Sequence, residues 1–329
     1  MNRGETVGSD AGPGAVRNEG ATSRATGWRR PSWRIFRHIF QFVLTLPEPV
    51  LDFFSGRKAR ESSYPRLDAR AGFHAWFVTR FRRPAPPGPV AARQPALLSL
   101  GLLEGPPRKS VLWEDFVIPG NGGDIAVRSY RPQALPPGEA PVLIYLHFGG
   151  CVIGNLDTCH TACTMIAERA ACLVLSVDYR LAPEHRFPAA LEDTVTAFRW
   201  ARRHAATLGA DPARIAIGGD SAGGYLAAAT SLFLRDSAEP VPFLQLLIYP
   251  VLEMDRRSLP PTPFDDNYPL SRADMIWFSE LYMRDAADAV DPLCSVRRAA
   301  SLAGMPPTIL AGAGHDLLHE EGIAFAKRL

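Results

Sequence analysis

From residue 111 onward the apolar positions follow two alternating periods. Residues 111–118 (VLWEDFVI) and 124–130 (DIAVRSY) read as paired strands around a turn at Asn121-Gly122-Gly123-Asp124. Beyond them, continuous apolar runs alternate with stretches of helical period. PVLIYLH (141–147), CLVLSVDY (172–179), RIAIGG (214–219), FLQLLIYP (243–250) and PTILAGAG (307–314) read as strands, and 158–171, 188–206 and 222–234 as helices. Apolar strands alternating with helices predict an α/β fold: a mostly parallel central sheet with helices on both faces.

Upstream the pattern is different. Residues 1–31 are polar, rich in Gly, Ala and Arg, and without a period, which reads as a disordered tail. Ser32 is placed to cap a helix whose apolar face is Trp33, Phe36, Phe40, Val43 and Leu44, with Arg34 and Arg37 opposite. That face is expected to dock on the protein's own body, a membrane surface being the alternative. Helical period continues through Phe73, Trp76, Phe77 and Phe81 until PAPPGPV (84–90) interrupts it as a linker.

Composition narrows the function. A chain of 329 residues with 47% hydrophobic and 21% charged residues is globular, and its net charge of +2 gives no reason to seek nucleic acid. The first 38 residues hold seven Arg and three acids, a local +4, dispersed as in a solvated tail. MNRGETVGSD lacks the apolar core of a secretory signal. The longest charge-free runs, 140–156 and 299–315, are broken by Gly or Pro, so no transmembrane segment is expected. Five cysteines without a compact framework read as buried thiols of a cytoplasmic protein, and Cys159 with Cys163 alone makes no zinc site.

The chemistry concentrates in two glycine-rich segments. GGDSAGG (218–224) contains G-x-S-x-G between a strand and a helix, the setting of a nucleophile elbow with Ser221 at its tip. HFGGCVIG (147–154) ends an earlier strand. There Gly149 and Gly150 can present backbone N–H groups to an oxyanion, with the amide of Ala222 as a third donor.

With HFGGCVIGNLDT, DYRLAPEHRFPAA (178–190) and GDSAGG in that order, the chain resembles the hormone-sensitive-lipase-like family of serine esterases, of the α/β-hydrolase fold. The resemblance covers roughly residues 111–329 and departs at Phe148, where the family has its first glycine. It implies hydrolysis of small to medium acyl esters, with no cofactor and no metal, and admits a homodimer. It divides the chain into the tail (1–31), an N-terminal helical cap (32–106) and a hydrolase core (107–329) with a cap insertion at about 255–285. In that family DYRLAPE braces the loops near the oxyanion hole, which gives Asp178 and Glu184 structural roles, and His147 likewise holds its own loop.

The same resemblance assigns the triad acid to Asp316, with Leu317 in place of the family's proline; Asp291, in Asp291-Pro292-Leu293, precedes the strand and is a decoy. GAGHDL imitates a dinucleotide fingerprint, but Leu317 fills the third glycine position, and His315 and His319 lack the E-x-x of a zinc protease. Chain order in these hydrolases is Ser, acid, His. His319 alone follows Asp316, three residues on, and the positions of His38, His74, His147, His160, His185, His204 and His315 do not suit a base. The expectation is a chain that lacks its general base, last strand and last helix, through truncation or as a non-catalytic branch. The first reading is therefore a serine carboxylesterase, inactive in this form if the base is absent. The alternative is a non-catalytic small-molecule-binding protein on the same fold, as in plant hormone receptors; a membrane-surface adaptor acting through 33–46 is a third.

Overall fold

The computed structural model describes residues 31–55, 67–81, 88–102, 104–135, 139–266 and 270–329. The tail expected over 1–31 lies outside the described residues except for Pro31, which opens the first helix. Seven strands form one sheet in the order β1-β2-β4-β3-β5-β6-β7. The hairpin expected around Asn121 is present: β1 (Val111–Ile118) pairs antiparallel with β2 (Ile125–Pro132), and β2 pairs antiparallel with β4 (Leu173–Val177). From β4 onward the sheet is parallel through β3 (Ala140–Leu146), β5 (Ala210–Asp220), β6 (Gln245–Ile248) and β7 (Thr308–Ala311).

The two-residue alternation of strands assigns side chains to layers. Val142, Ile144 and Leu146 of β3 join the main core with α6 (Ala189–Arg203) and α7 (Ala222–Asp236). Leu143 and Tyr145 point the other way, into a smaller cluster with Cys159, Cys163 and Ala167 around α5 (His160–Ala170). With helices on both faces, all five residues of β4 are buried. All five cysteines are buried free thiols.

Four helices precede the sheet: α1 (Pro31–Val43), α2 (Glu48–Ser55), α3 (Ala69–Phe81) and α4 (Pro89–Leu100). Phe40, Leu51, Ala69, Phe73 and Leu102 form a core of their own, separate from that of the sheet. Two expectations are corrected here. Proline's fixed φ suits the first turn of a helix, so α1 begins at Pro31 and Ser32 lies within it. Arg37 faces inward, donating to the carbonyl oxygens of Glu104 and Gly105, while Gln41 donates to those of Leu102 and Glu104. Of the linker expected over 84–90, residues 84–87 lie outside the described residues, and α4 starts at Pro89 and contains Pro95. No helix among the described residues is long and apolar enough to cross a membrane.

Between β6 and β7 the chain forms α8 (Arg272–Tyr282), which opens on a capping box: Ser271 Oγ accepts from the Asp274 N–H, and the Asp274 carboxylate accepts from the Ser271 N–H. After β7, α9 (His319–Ala326) is fastened to the segment following β6 by a buried ion pair. Arg256 Nη1 lies 2.6 Å from Glu321 Oε2, both side chains 3% exposed, and Glu321 Oε1 accepts from the Leu252 N–H at 3.0 Å. Burying two charges is tolerable only while each satisfies the other. Glu321→Ala is therefore expected to lower the unfolding free energy in urea by about 3–5 kcal/mol, whereas Arg256→Met with Glu321→Leu recovers most of it. A Glu321→Ala midpoint equal to wild type would show that the pair contributes nothing.

Candidate active site

Strand order brings together residues far apart in sequence. β3 and β5 are neighbours with Leu146 opposite Gly219, so the loop that starts at His147 emerges beside the turn carrying Ser221. Ser221 has φ +54° and ψ −115°, a strained backbone for a residue with a side chain. The turn is held open by its own hydrogen bonds: the Ser221 N–H donates to Ile248 O at 2.9 Å, and Ser221 O accepts from Tyr225 N at 3.0 Å and Val251 N at 3.2 Å. Ser221 thereby stays partly exposed at the start of α7, where the helix dipole is positive.

Gly149 and Gly150 stand at φ +128° and +64°, and the carbonyl of Gly149 accepts from both Val152 N (3.0 Å) and Ile153 N (2.9 Å). The N–H groups of Gly149, Gly150 and Ala222 have no acceptor among the described residues. The ring of Phe278, on α8, lies where a side chain at Gly150 would sit and so covers this loop. Phe148, the departure from the family pattern, turns away to pack beside Tyr145 and Cys159.

The loop is braced as the DYRLAPE resemblance implies. Tyr179 stacks on His147 with ring centroids 4.3 Å apart, and its hydroxyl donates to His147 O at 2.7 Å. Ala182 N donates to Cys151 O at 2.8 Å, and Arg93 of α4 reaches Val152 O (2.7 Å), Ala182 O (2.9 Å) and Glu184. His147 is fully buried, hydrogen-bonded through Nδ1 to Phe148 O, and its pKa is pushed down to about 4 by burial, so it stays neutral. Asp178 is shifted up to about 6, first by burial and then by the nearby Asp157.

Sequence reasoning missed Asp220, one residue before Ser221. Its Oδ1 accepts from Tyr145 OH at 3.1 Å and Cys159 Sγ at 3.6 Å, and its Oδ2 from Tyr249 OH at 3.1 Å. Burial pushes its pKa up to about 6 against those three bonds. The signal was present in G-D-S, but its partners stand on three other segments.

Asp316 lies in the loop after β7, at the same end of the sheet as Ser221. Its Oδ1 accepts from Leu318 N at 3.0 Å, and burial raises its pKa. Asp291 instead accepts from Leu293 N within its own turn. His319 donates its backbone N–H to Asp316 O at 3.0 Å while its ring Nδ1 is buried without a partner, His315 packs edge-on to Phe264, and His185 is exposed. Among the described residues no group of three or more His, Cys, Asp or Glu could hold a metal.

A family model described as the alpha/beta hydrolase fold matches residues 143–329. The chain is 43% identical over 221 residues to the carboxylic ester hydrolase LipN of Mycobacterium tuberculosis, an alignment covering 65% of this chain and 58% of LipN. It is 37% identical to ethyl acetate hydrolase of Pseudomonas putida, over 64% of this chain and 66% of that protein. The chain thus spans 58–66% of the length of these two relatives. Among solved structures, an ester hydrolase from the Lake Arreo metagenome, complexed with a bipyridine phosphonate derivative, superposes with a TM-score of 0.74 at 37% identity, covering 86% of this chain and 85% of that one. A hyperthermophilic esterase from Pyrobaculum calidifontis gives 0.68 at 35% identity, over 73% and 79% of the two chains. The sheet order, the elbow and these matches agree: the chain belongs to the α/β-hydrolase fold family, in the hormone-sensitive-lipase-like branch that its motifs resemble.

Proposed function

We propose that this chain is the body of a carboxylic ester hydrolase in which Ser221 is the nucleophile and forms an acyl-enzyme. The observation that carries the reading is the pairing of a strained, accessible serine with three N–H groups that have no acceptor. As Ser221 Oγ adds to the acyl carbon, the carbonyl oxygen gains negative charge. The N–H groups of Gly149, Gly150 and Ala222 take up that charge, each worth about 10²–10³ in rate. The general base takes the proton from Ser221 Oγ and passes it to the departing alkoxide as the adduct collapses to the acyl-enzyme, and water activated by the same base later adds to the acyl carbon, releasing the acid and restoring Ser221. Asp316 is the acid that orients the general base. The names of the relatives support an ester substrate, and Phe278 over Gly150 limits the room above the hole, which supports small to medium acyl groups.

Helices α1–α4 and α8 form the cap in this reading, with Arg93 tying α4 to the site loop. The five buried thiols support a cytoplasmic location. One observation favours a second reading, a non-catalytic binder of small molecules: the ring of His319, which follows Asp316 in the chain, is buried with its Nδ1 unpartnered.

With p-nitrophenyl butyrate, this chain is expected to turn over about 10⁶ more slowly than a hydrolase with its histidine in place. Ser221→Ala should reduce the rate further by less than about tenfold, because triad members act as a unit. Turnover above about 1 s⁻¹, an ordinary enzymatic rate, would identify one of the eight histidines as the base, His319→Ala and His185→Ala being the first variants to assay.

The ester-hydrolase reading is tested by supplying the base from solution. Added imidazole is expected to accelerate hydrolysis saturably in wild type, and only by its bulk-solution rate in Ser221→Ala. Equal acceleration of the two proteins would remove Ser221 as nucleophile and leave the binder reading.

A further inference from the structure

We propose that Arg93, on α4, is a positioning residue for the oxyanion hole, so that a helix outside the sheet sets the geometry of a loop at the strand ends. The proposal rests on the reading of Gly149, Gly150 and Ala222 as the donors of that hole. Every nitrogen of the Arg93 guanidinium is engaged. Nε donates to Val152 O at 2.7 Å and Nη1 to Glu184 Oε1 at 2.9 Å, while Nη2 donates to Ala182 O at 2.9 Å and Glu184 Oε2 at 2.7 Å. These acceptors lie 59 to 91 residues along the chain, on the glycine loop and on the DYRLAPE segment. The two segments touch each other through the Ala182 N–H and Cys151 O, 2.8 Å apart. The guanidinium closes that contact from the α4 side, its side chain only 20% exposed.

A short path of hydrogen bonds runs from Arg93 to the hole. A trans peptide is planar, so the Gly149 carbonyl and the Gly150 N–H point in opposite directions and turn as one unit. The Gly149 carbonyl is held by the N–H groups of Val152 (3.0 Å) and Ile153 (2.9 Å), which fixes the direction of the Gly150 N–H. Val152 is in turn held at its own carbonyl by Arg93 Nε. With two glycines at φ +128° and +64° the loop has little stiffness of its own, so its direction comes from such outside bonds. The ion pair with Glu184 is a weak reason for this residue, because Glu184 is 43% exposed and such pairs contribute little. The two carbonyl bonds differ in kind. They need donors at fixed angles, which the planar fork of arginine supplies and the single ammonium of lysine does not. The DYRLAPEHRFPAA segment is also gripped from α8, where Phe187 N donates to Tyr282 O at 2.8 Å and Arg186 Nη1 to Met283 O at 2.6 Å. Arg93 is the matching hold from α4, acting on the Gly150 N–H through Val152 and not on the substrate.

The experiment pairs imidazole-supported hydrolysis of p-nitrophenyl butyrate by the full chain with backbone hydrogen exchange read by mass spectrometry. Arg93→Met and Arg93→Lys are each expected to lose about ten- to a hundredfold in kcat, the cost of a donor displaced and not removed. KM should stay within about threefold of wild type, since the loss falls on the transition state. Exchange across residues 148–154 should quicken about tenfold while β3 keeps its wild-type rate, which separates a loosened loop from a loosened fold. In Arg93→Ala, millimolar guanidinium should raise the rate at least about fivefold and leave wild type unchanged. Wild-type kcat in Arg93→Lys, a loss that falls on KM instead, unchanged exchange across 148–154, or an equal rise across β3 would overturn the proposal. Equal imidazole acceleration of wild type and Ser221→Ala would overturn the ester-hydrolase reading and this proposal together. A failure of Arg93 alone leaves that difference between the two proteins in place.

Discussion

The carbonyl oxygen of Leu146 sits against the backbone of the turn that carries Ser221, and the site follows from that close approach. A methyl group on either Gly219 or Gly223 would overlap this oxygen. With no side chain at either position, β3 and β5 pair to their C-terminal ends, Leu146 opposite Gly219. The next residues of β3 become the loop bearing Gly149 and Gly150, and the next residues of β5 become Ser221 and Ala222. The proposed oxyanion hole, built from two segments 74 residues apart, thus depends on two hydrogen atoms in place of two methyl groups. Rotamer changes cannot relieve such an overlap, because backbone meets backbone.

Beneath this contact the polar groups are arranged to hold the turn rather than to react. Asp220 collects Tyr145 from β3, Cys159 from the segment before α5 and Tyr249 from the end of β6, so one carboxylate fixes three elements around the serine. His147 and Tyr179 stack to fill the space that Gly154 leaves open. On the acid side, Arg256 and Glu321 tie α9 to the segment that leaves β6, and Leu252 in that segment donates to the same Glu321. The loops of the site are consequently anchored by buried polar bonds, a costly arrangement whose return is geometric definition.

Much of the sheet was legible because its strands and helices have different hydrophobic periods, and because Gly-rich motifs fall at strand ends. The seven strands stand where alternation or continuous apolar runs placed them. The N-terminal region was harder, for reasons that particular residues show. Arg37 looks like a solvent-facing cation on a helical wheel, yet carbonyl groups more than sixty residues away draw it inward. Pro89, at the end of the proline-rich stretch 84–90, reads as linker, although it occupies a first turn, where proline fits, and α4 runs on from it through Pro95. The face named for α1, Trp33 to Leu44, leaves out Ile35, Ile39 and Phe42, because periodicity reports how apolar a helix is, not how much of it finds a neighbour. In the site, Ser221 and the glycines announce themselves by motif, whereas Asp220 depends on three partners that only topology brings together.

Glu104 gives the molecule a mechanical joint. Its backbone carbonyl accepts from Arg37 and Gln41 of α1, and its carboxylate accepts from the Thr161 N–H in the first turn of α5. Arg37 and Gln41 hold the inner side of the helix whose outer side is bare, and α5 begins a few residues after the glycine loop. One residue therefore joins a lever to the frame of the site. A displacement of α1 is thereby coupled through two side chains and one carboxylate to the root of α5.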